Sequence, residues 1–348
     1  MLKINKFIAL SVAVFMIIAV FSGCGAKDGN GAKDSSATAE QGTAGQGQQE
    51  AQEKAQEYKK DAGVYPLKVK DFDGYEMTIE KKPESIVSLD LGTDEILLSL
   101  VDKSRIKALS GKSAEDEGIS NIADKAKEFP KAEQNVEMVI SLRPDIVFAA
   151  SWMGKEMIQQ IRDAKIPVYC HGTATSIEEQ KKVILEIAHV LGEDAKGQEI
   201  VADMDKKLKE IEEKVKTLKP EEKLTVLSYN SYGTTHGKGT TFDDIVTRAG
   251  LINCVAEAGM EEYPKISKEK IVELNPDVII LPTWYYEKKE DPVAFADEVK
   301  RDKSLASVKA IKNDRVYMLP EKHMSCVSQY IVLGVEDVAK AVYPHLFK

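Results

Sequence analysis

The chain is short of the groups that most often mark a catalytic or metal-bound protein. It has four cysteines. Apart from Cys24 near the N-terminus they are Cys170, Cys254 and Cys326, an odd number with no C-x-x-C pair, which speaks against a disulfide framework and a zinc knuckle. Cys170 ends an apolar run and reads as a small buried hydrophobe. There is no G-x-S-x-G, no H-E-x-x-H and no Walker A loop. The stretch "GTTHGKGTT" (Gly233 to Thr241) only imitates the last, with its first Gly five residues before the Lys instead of six. These absences argue against an enzyme. Positive charge is also scarce: 48 Lys and Arg face 57 Asp and Glu, for a net charge of −9. Removing an N-terminal signal that carries Lys3 and Lys6 makes the mature charge −9 − 2 = −11. Such a surface argues against a nucleic-acid partner. Aromatic residues make up 7 %, with only two tryptophans.

The N-terminus carries a targeting pattern, kept apart from the fold. Lys3 and Lys6 precede an uncharged run from Phe7 to Phe21, too short to span a bilayer comfortably. It ends in "FSGC", which resembles the bacterial lipoprotein cleavage box, with Phe21 in place of the usual Leu. The resemblance implies acylation of Cys24, and an acylated cysteine carries enough chains for stable anchoring. From Gly25 to about Glu57 there is no aromatic and no large aliphatic residue. This stretch cannot offset the entropy of ordering and reads as a tether reaching roughly 30 Å. The expected division is residues 1–23 signal, 24–63 lipid-anchored linker, 64–175 first α/β lobe, 176–221 helical segment and 222–348 second α/β lobe.

Within the body one phrase occurs twice. "NVEMVISLRPDIVFAA" (Asn135 to Ala150) and "SKEKIVELNPDVIILP" (Ser267 to Pro282) match at Glu137/Glu269, Pro144/Pro276 and Asp145/Asp277, each at an offset of 132. Each copy predicts a short helix and then a strand. Asn135 and Ser267 are good N-caps, Val139 and Leu142, like Ile271 and Leu274, follow helical spacing, and the prolines stop the helix. The apolar runs Ile146–Ala149 and Val278–Leu281 suit strands covered on both faces.

Other predicted strands are 85–89, 105–109, 166–170, 224–228 and 315–319, with helical patterns between most of them. That alternation implies α/β lobes with mostly parallel sheets. The strands divide into a group before about residue 172 and another after about 222, each holding one copy of the phrase. Between them, residues 176–191 predict one helix and 194–218 a second. The stripe Ile200, Met204, Leu208, Ile211, Val215 and Leu218 steps by 4, 4, 3, 4 and 3, as on one helix face. Such a rod is about 37 Å long and ends at Pro220. A coiled-coil dimer is the alternative use of the stripe; a single rod across both lobes is preferred. The fold class is therefore α/β: two similar lobes with mostly parallel sheets, bridged by one long helix, with a ligand cleft between them.

This arrangement resembles the substrate-binding proteins of ABC importers for ferric siderophores, haem or cobalamin, over about Val64 to Phe347. "KKPESIVSLDLGTDEILLSL" (Lys81 to Leu100) is similar to the family's opening signature, with Asp94 where Thr is usual and Val101 where Gly is frequent. "TFDDIVTRAGLIN" (Thr241 to Asn253) resembles its second-lobe helix. The resemblance implies an extracytoplasmic, non-enzymatic receptor without a cofactor, a monomer that hands its ligand to an ABC permease and ATPase. It also implies that Glu137 and Glu269, one per lobe, dock on permease arginines; their other role is to stabilise the helix N-termini, by roughly 0.3–1 kcal/mol each.

Ligands of open α/β sheets sit beyond the carboxyl ends of the strands. That rule selects Asp90, Thr93, Ser110, Lys112, Trp152, Met153 and His171 in the first lobe, and Tyr229, Tyr232, His236, Trp284, Tyr285, His323 and Met324 in the second. Trp152 and Trp284 suit a flat or bulky ligand. The six arginines (Arg105, Arg143, Arg162, Arg248, Arg301 and Arg315) all lie elsewhere, which weakens a highly anionic ligand. An iron chelate of the siderophore type is the expected ligand, with a corrinoid or haem as the alternative. A bare zinc or manganese ion, held by His171, His236 and His323, is a further one.

Overall fold

The computed structural model describes residues 62–286 and 290–348. The targeting signal, Cys24 and nearly all of the linker lie outside the described residues. Among those described, no helix is long and apolar enough to cross a membrane.

A small antiparallel hairpin, β1 (Leu67–Lys70) and β2 (Glu76–Ile79), opens the body. Its alternating burial belongs to a half-covered ribbon. Four strands then build the first sheet: β3 (Ile86–Ser88), β4 (Ile106–Ala108), β5 (Ile146–Ala150) and β6 (Val168–His171), in the order β4-β3-β5-β6. Four more build the second: β7 (Thr225–Ser228), β8 (Ile252–Asn253), β9 (Val278–Leu281) and β10 (Val316–Met318), in the order β10-β9-β7-β8. All pairings within both sheets are parallel. Numbered within its own sheet, each lobe has the order 2-1-3-4, so the two lobes are topological copies. The strands of the repeated phrase, β5 and β9, are completely buried, as continuous apolar runs require.

The copies agree in detail. Helices Val136–Leu142 and Lys268–Leu274 are capped by Asn135 and Ser267, whose side chains accept from the backbone N–H groups of Met138 and Lys270. Each helix ends on a left-handed residue, Arg143 at φ 47° and Asn275 at φ 45°. The repeated aspartate has the same task in both lobes. Asp145 accepts from the N–H of Glu84 at 2.9 Å and Asp277 from that of Thr225 at 3.1 Å, each pinning the start of the neighbouring strand. Lys81 at 3.1 Å and Lys309 at 3.2 Å supply the counter-charges.

The long helix runs Asp194–Val215, three residues shorter at its end than the stripe implies. The last turn relaxes toward Pro220, with Thr217 and Leu218 bonding back to the carbonyls of Lys214 and Val215. At 22 residues it is about 33 Å long. Ile200, Met204, Leu208, Ile211 and Val215 are buried within this one chain. They share a core with Ile96 and Leu97 beside the first sheet and with Ile245, Val335 and Val338 beside the second. The stripe is thus spent inside the molecule and not on a coiled coil.

A polar seam joins the lobes behind the cleft. Glu95, on helix Leu91–Leu100, is 2 % exposed. Its carboxylate accepts from the backbone N–H of Asn121 at 2.7 Å, the Asn121 amide at 3.0 Å, the Ser328 hydroxyl and, weakly, the Cys326 thiol. Asn121 also donates to the Lys322 carbonyl at 2.8 Å. Gly92 permits the close approach, since a Cβ there would meet the Val327 carbonyl oxygen at 2.5 Å.

Candidate ligand cleft

The chain order reverses between β3 and β5 in one sheet and between β7 and β9 in the other. These are the switch points at which open α/β sheets take ligands. Trp152 lies just beyond β5 and Trp284 just beyond β9, and 284 − 152 = 132, so the tryptophans obey the repeat offset. The duplicated strand therefore delivers one indole from each lobe.

Both indoles line a cavity of about 1080 Å³, together with Asp90, Ser110, Lys112 and Tyr286. Trp152 is 62 % exposed. Trp284 reaches across to the first lobe, where its indole N–H donates to Asp116 Oδ2 at 3.1 Å. Gly118 leaves room for it, because a Cβ there would lie 2.6 Å from the ring. A second cavity of about 260 Å³ adjoins the first, with Trp284 and Tyr286 as common wall. Tyr229, Tyr232, His236, Tyr285 and Met324 line it. His236 stacks on Phe242 with ring centroids 5.1 Å apart, and its Nδ1 lies 2.7 Å from Ser228 Oγ. Burial holds its pKa down at about 4, so the imidazole is neutral at physiological pH.

The floor of the first lobe is a buried polar network. Asp90 caps helix Leu91–Leu100, accepting from the Thr93 N–H and hydroxyl, both at 2.8 Å, and its Oδ2 lies 3.1 Å from His171 Nε2. Burial pushes the Asp90 carboxyl up, but His171 and the Thr93 bonds more than offset it, and the pKa is lowered. Burial opposes the charged form of His171, yet Asp90 beside it and the Gly172 carbonyl leave its pKa raised. One turn on, Asp94 accepts from the Ser110 N–H and hydroxyl, the latter at 2.6 Å. Burial raises the Asp94 pKa to about 7.

Of the residues selected from sequence, Asp90, Ser110, Lys112, Trp152 and Trp284 come together in the larger cavity. Tyr229, Tyr232, His236, Tyr285 and Met324 come together in the smaller. His171 closes β6 instead of following it, and borders a small pocket beside Asp90 and Trp152. Thr93 is fully buried beneath Asp90, and Met153 packs in the first-lobe core with Ile158 and Ile161. His323 lines neither cavity; its Nδ1 lies 2.6 Å from Asp337 Oδ2. The three histidines are not brought together, and no group of three or more His, Cys, Asp or Glu suited to a metal ion occurs among the described residues. Sequence reasoning missed Glu115, Asp116, Glu117 and Glu133, which line the larger cavity. They lie in the long connection after β4, beyond the first few residues that the strand-end rule inspects.

Glu137 and Glu269 sit exposed in the first turns of the two copied helices.

A family model described as "Periplasmic binding protein" matches residues 86–323. The chain is 30 % identical over 310 residues to the uncharacterized ABC transporter substrate-binding lipoprotein YvrC of Bacillus subtilis, covering 86 % of this chain and 92 % of that one. It is 27 % identical over 252 residues to the iron-uptake system-binding protein of the same organism, covering 70 % and 76 %. Among solved structures, the periplasmic heme-binding protein RhuT from Roseiflexus superposes with a TM-score of 0.65 at 22 % identity, covering 76 % of this chain and 99 % of that one. The shared fold, the matched segment and the relatives agree: this chain belongs to the periplasmic binding protein family, as a substrate-binding protein of the ABC-importer type.

Proposed function

We propose that the protein is a lipid-anchored receptor on the outer side of the cell membrane, acylated at Cys24. It binds an iron chelate of the siderophore type as a monomer and delivers it to an ABC permease and ATPase. The observation that carries this reading is the pair Trp152 and Trp284, one per lobe, at equivalent switch points of duplicated sheets and lining one cavity. A cavity of this size stands at the upper end of the roughly 300–1,000 Å³ typical of small-molecule sites. Two indoles offer wide apolar contact at low entropic cost. A bare ion needs three or four converging donors, and the separated histidines do not supply them. Glu137 and Glu269 present one carboxylate per lobe to the permease. The second reading, a corrinoid, is favoured by the same breadth and by the absence of arginine from both cavity walls.

The test is tryptophan fluorescence of the full chain in detergent, titrated with a ferric hydroxamate, a ferric catecholate, haem and cyanocobalamin. All absorb light and quench an indole they touch. Saturable quenching by one of them, weakened in Trp152→Ala and in Trp284→Ala, supports the reading and names the ligand class. Quenching by none of the four refutes it.

A further inference from the structure

The larger cavity is sharply asymmetric in charge. Among the described residues five carboxylates line it, from Asp90, Glu115, Asp116, Glu117 and Glu133, against one cation, Lys112. Three of the five have a local use. Asp90 faces His171, Glu115 pairs with Lys131 at 2.8 Å, and Asp116 accepts from the Trp284 indole. Glu117 and Glu133 are exposed and enter no ion pair among the described residues. Glu133 leans over Gly111 on the cavity wall, its Oε2 3.5 Å from where a Cβ would stand.

No arginine answers this charge. Arg105 is bound to Glu193 and the Pro83 carbonyl, Arg162 to Asp71, and Arg248 to Glu178, Glu212 and Asp244. Arg301 pairs with Asp297. Arg143 terminates a helix in the left-handed conformation, and Arg315 bonds at the edge of the second sheet through its backbone.

We propose that this cleft selects a metal complex of net positive charge over neutral and anionic ones, with Glu117 and Glu133 as the selecting residues. The proposal rests on the receptor reading above and narrows its ligand class. A cation entering between the two indoles gains attraction from both free carboxylates and contact with the electron-rich ring faces. An anion meets the same carboxylates with no guanidinium to pair it. At separations of several ångströms near a wet surface, each carboxylate is worth a few-fold in affinity per unit of ligand charge. The effect compresses in molar salt, where the Debye length falls to about 3 Å.

The experiment uses the full chain and two probe sets matched in shape. The first is ferrioxamine B, singly positive through its free amine, beside its N-acetyl derivative, which is neutral, and its N-succinyl derivative, which is singly negative. The second is diaquacobinamide, positive, beside dicyanocobinamide, neutral. Within whichever set binds, affinity is expected to fall from positive to neutral to negative by a few-fold per step. The ordering should shrink in high salt and collapse in Glu117→Gln/Glu133→Gln. Equal affinities within a set, a reversed order, or an order unchanged in the double variant overturns the selection and leaves the receptor reading standing. So does tight binding of haem or a ferric catecholate with neither set bound. Absence of binding by any probe overturns the receptor reading and this proposal with it.

Discussion

Replacing Glu95 by Ala tests whether the seam behind the cleft is a true structural joint. The carboxylate is almost wholly buried and has four donors directed at it, from Asn121, Ser328 and Cys326. Truncation strands the Asn121 N–H and the Ser328 hydroxyl. An unpaired buried group costs about 1–3 kcal/mol, which applies in full to the Ser328 hydroxyl and in part to the half-buried Asn121 N–H. Part of this is returned, because burial already raises the Glu95 pKa and opposes its charged form. The balance is a loss of about 3 kcal/mol. Glu95→Gln keeps one acceptor for Asn121, and Ser328 can turn to accept from the new amide, so it should lose about 1 kcal/mol. Urea unfolding followed by circular dichroism measures both. A shift in midpoint at constant slope reports stability alone, and small-angle scattering of the folded variant reports whether the lobes part. Glu95→Ala within about 0.5 kcal/mol of the parent, the range of an ordinary surface change, would refute the seam.

Three further outcomes are expected. Burial pushes the Asp94 carboxyl up to about 7, above the ordinary carboxylate range, so the folded state holds a proton that the unfolded state releases. That contribution to stability is complete below about pH 4 and declines as pH rises through 7, so Asp94→Asn should gain about 1–3 kcal/mol relative to the parent between pH 5 and 8; a constant difference in urea unfolding across that range contradicts this. Glu137→Arg combined with Glu269→Arg should leave ligand quenching intact and abolish uptake in cells; normal uptake removes the docking role. Gly118→Val should drive the Trp284 indole off Asp116, shifting tryptophan emission to longer wavelength without loss of fold; an unchanged spectrum means that the ring does not rest there.

Most of the architecture is readable from the amino-acid sequence because it is written in apolar periodicity. The repeated phrase predicts both the helix–strand units and their equivalence, and the stripe from Ile200 to Val215 predicts the spanning helix. The hairpin β1–β2 and the two-residue β8 escape notice, since a four-residue ribbon or a two-residue strand carries too little pattern to stand out. The same logic divides the site. Trp152, Ser110 and Tyr229 follow strands closely and are found by the strand-end rule. Glu117 and Glu133 belong to a long connection whose return to the cavity depends on tertiary packing, and no local signal reports it. His323 lines neither cavity, and Asp337, the group it meets, arrives from the C-terminal helix Ile331–Val342, which no local signal reports.

The helical layer of this protein is one core serving two sheets, and that limits how the chain can be divided. Cutting near residue 221 would leave the first half with the spanning helix stripped of the cover that Ile245, Val335 and Val338 give its stripe. The second half would keep Val335 and Val338 facing water. Neither half is a self-sufficient folding unit, despite two sheets of identical topology. The strand-end loops can therefore be changed without disturbing that core, whereas the helix that both halves share cannot. Grafting the loops of one receptor onto another of this architecture is therefore the practical route to a new ligand, whereas recombining whole lobes must rebuild the shared core at the same time.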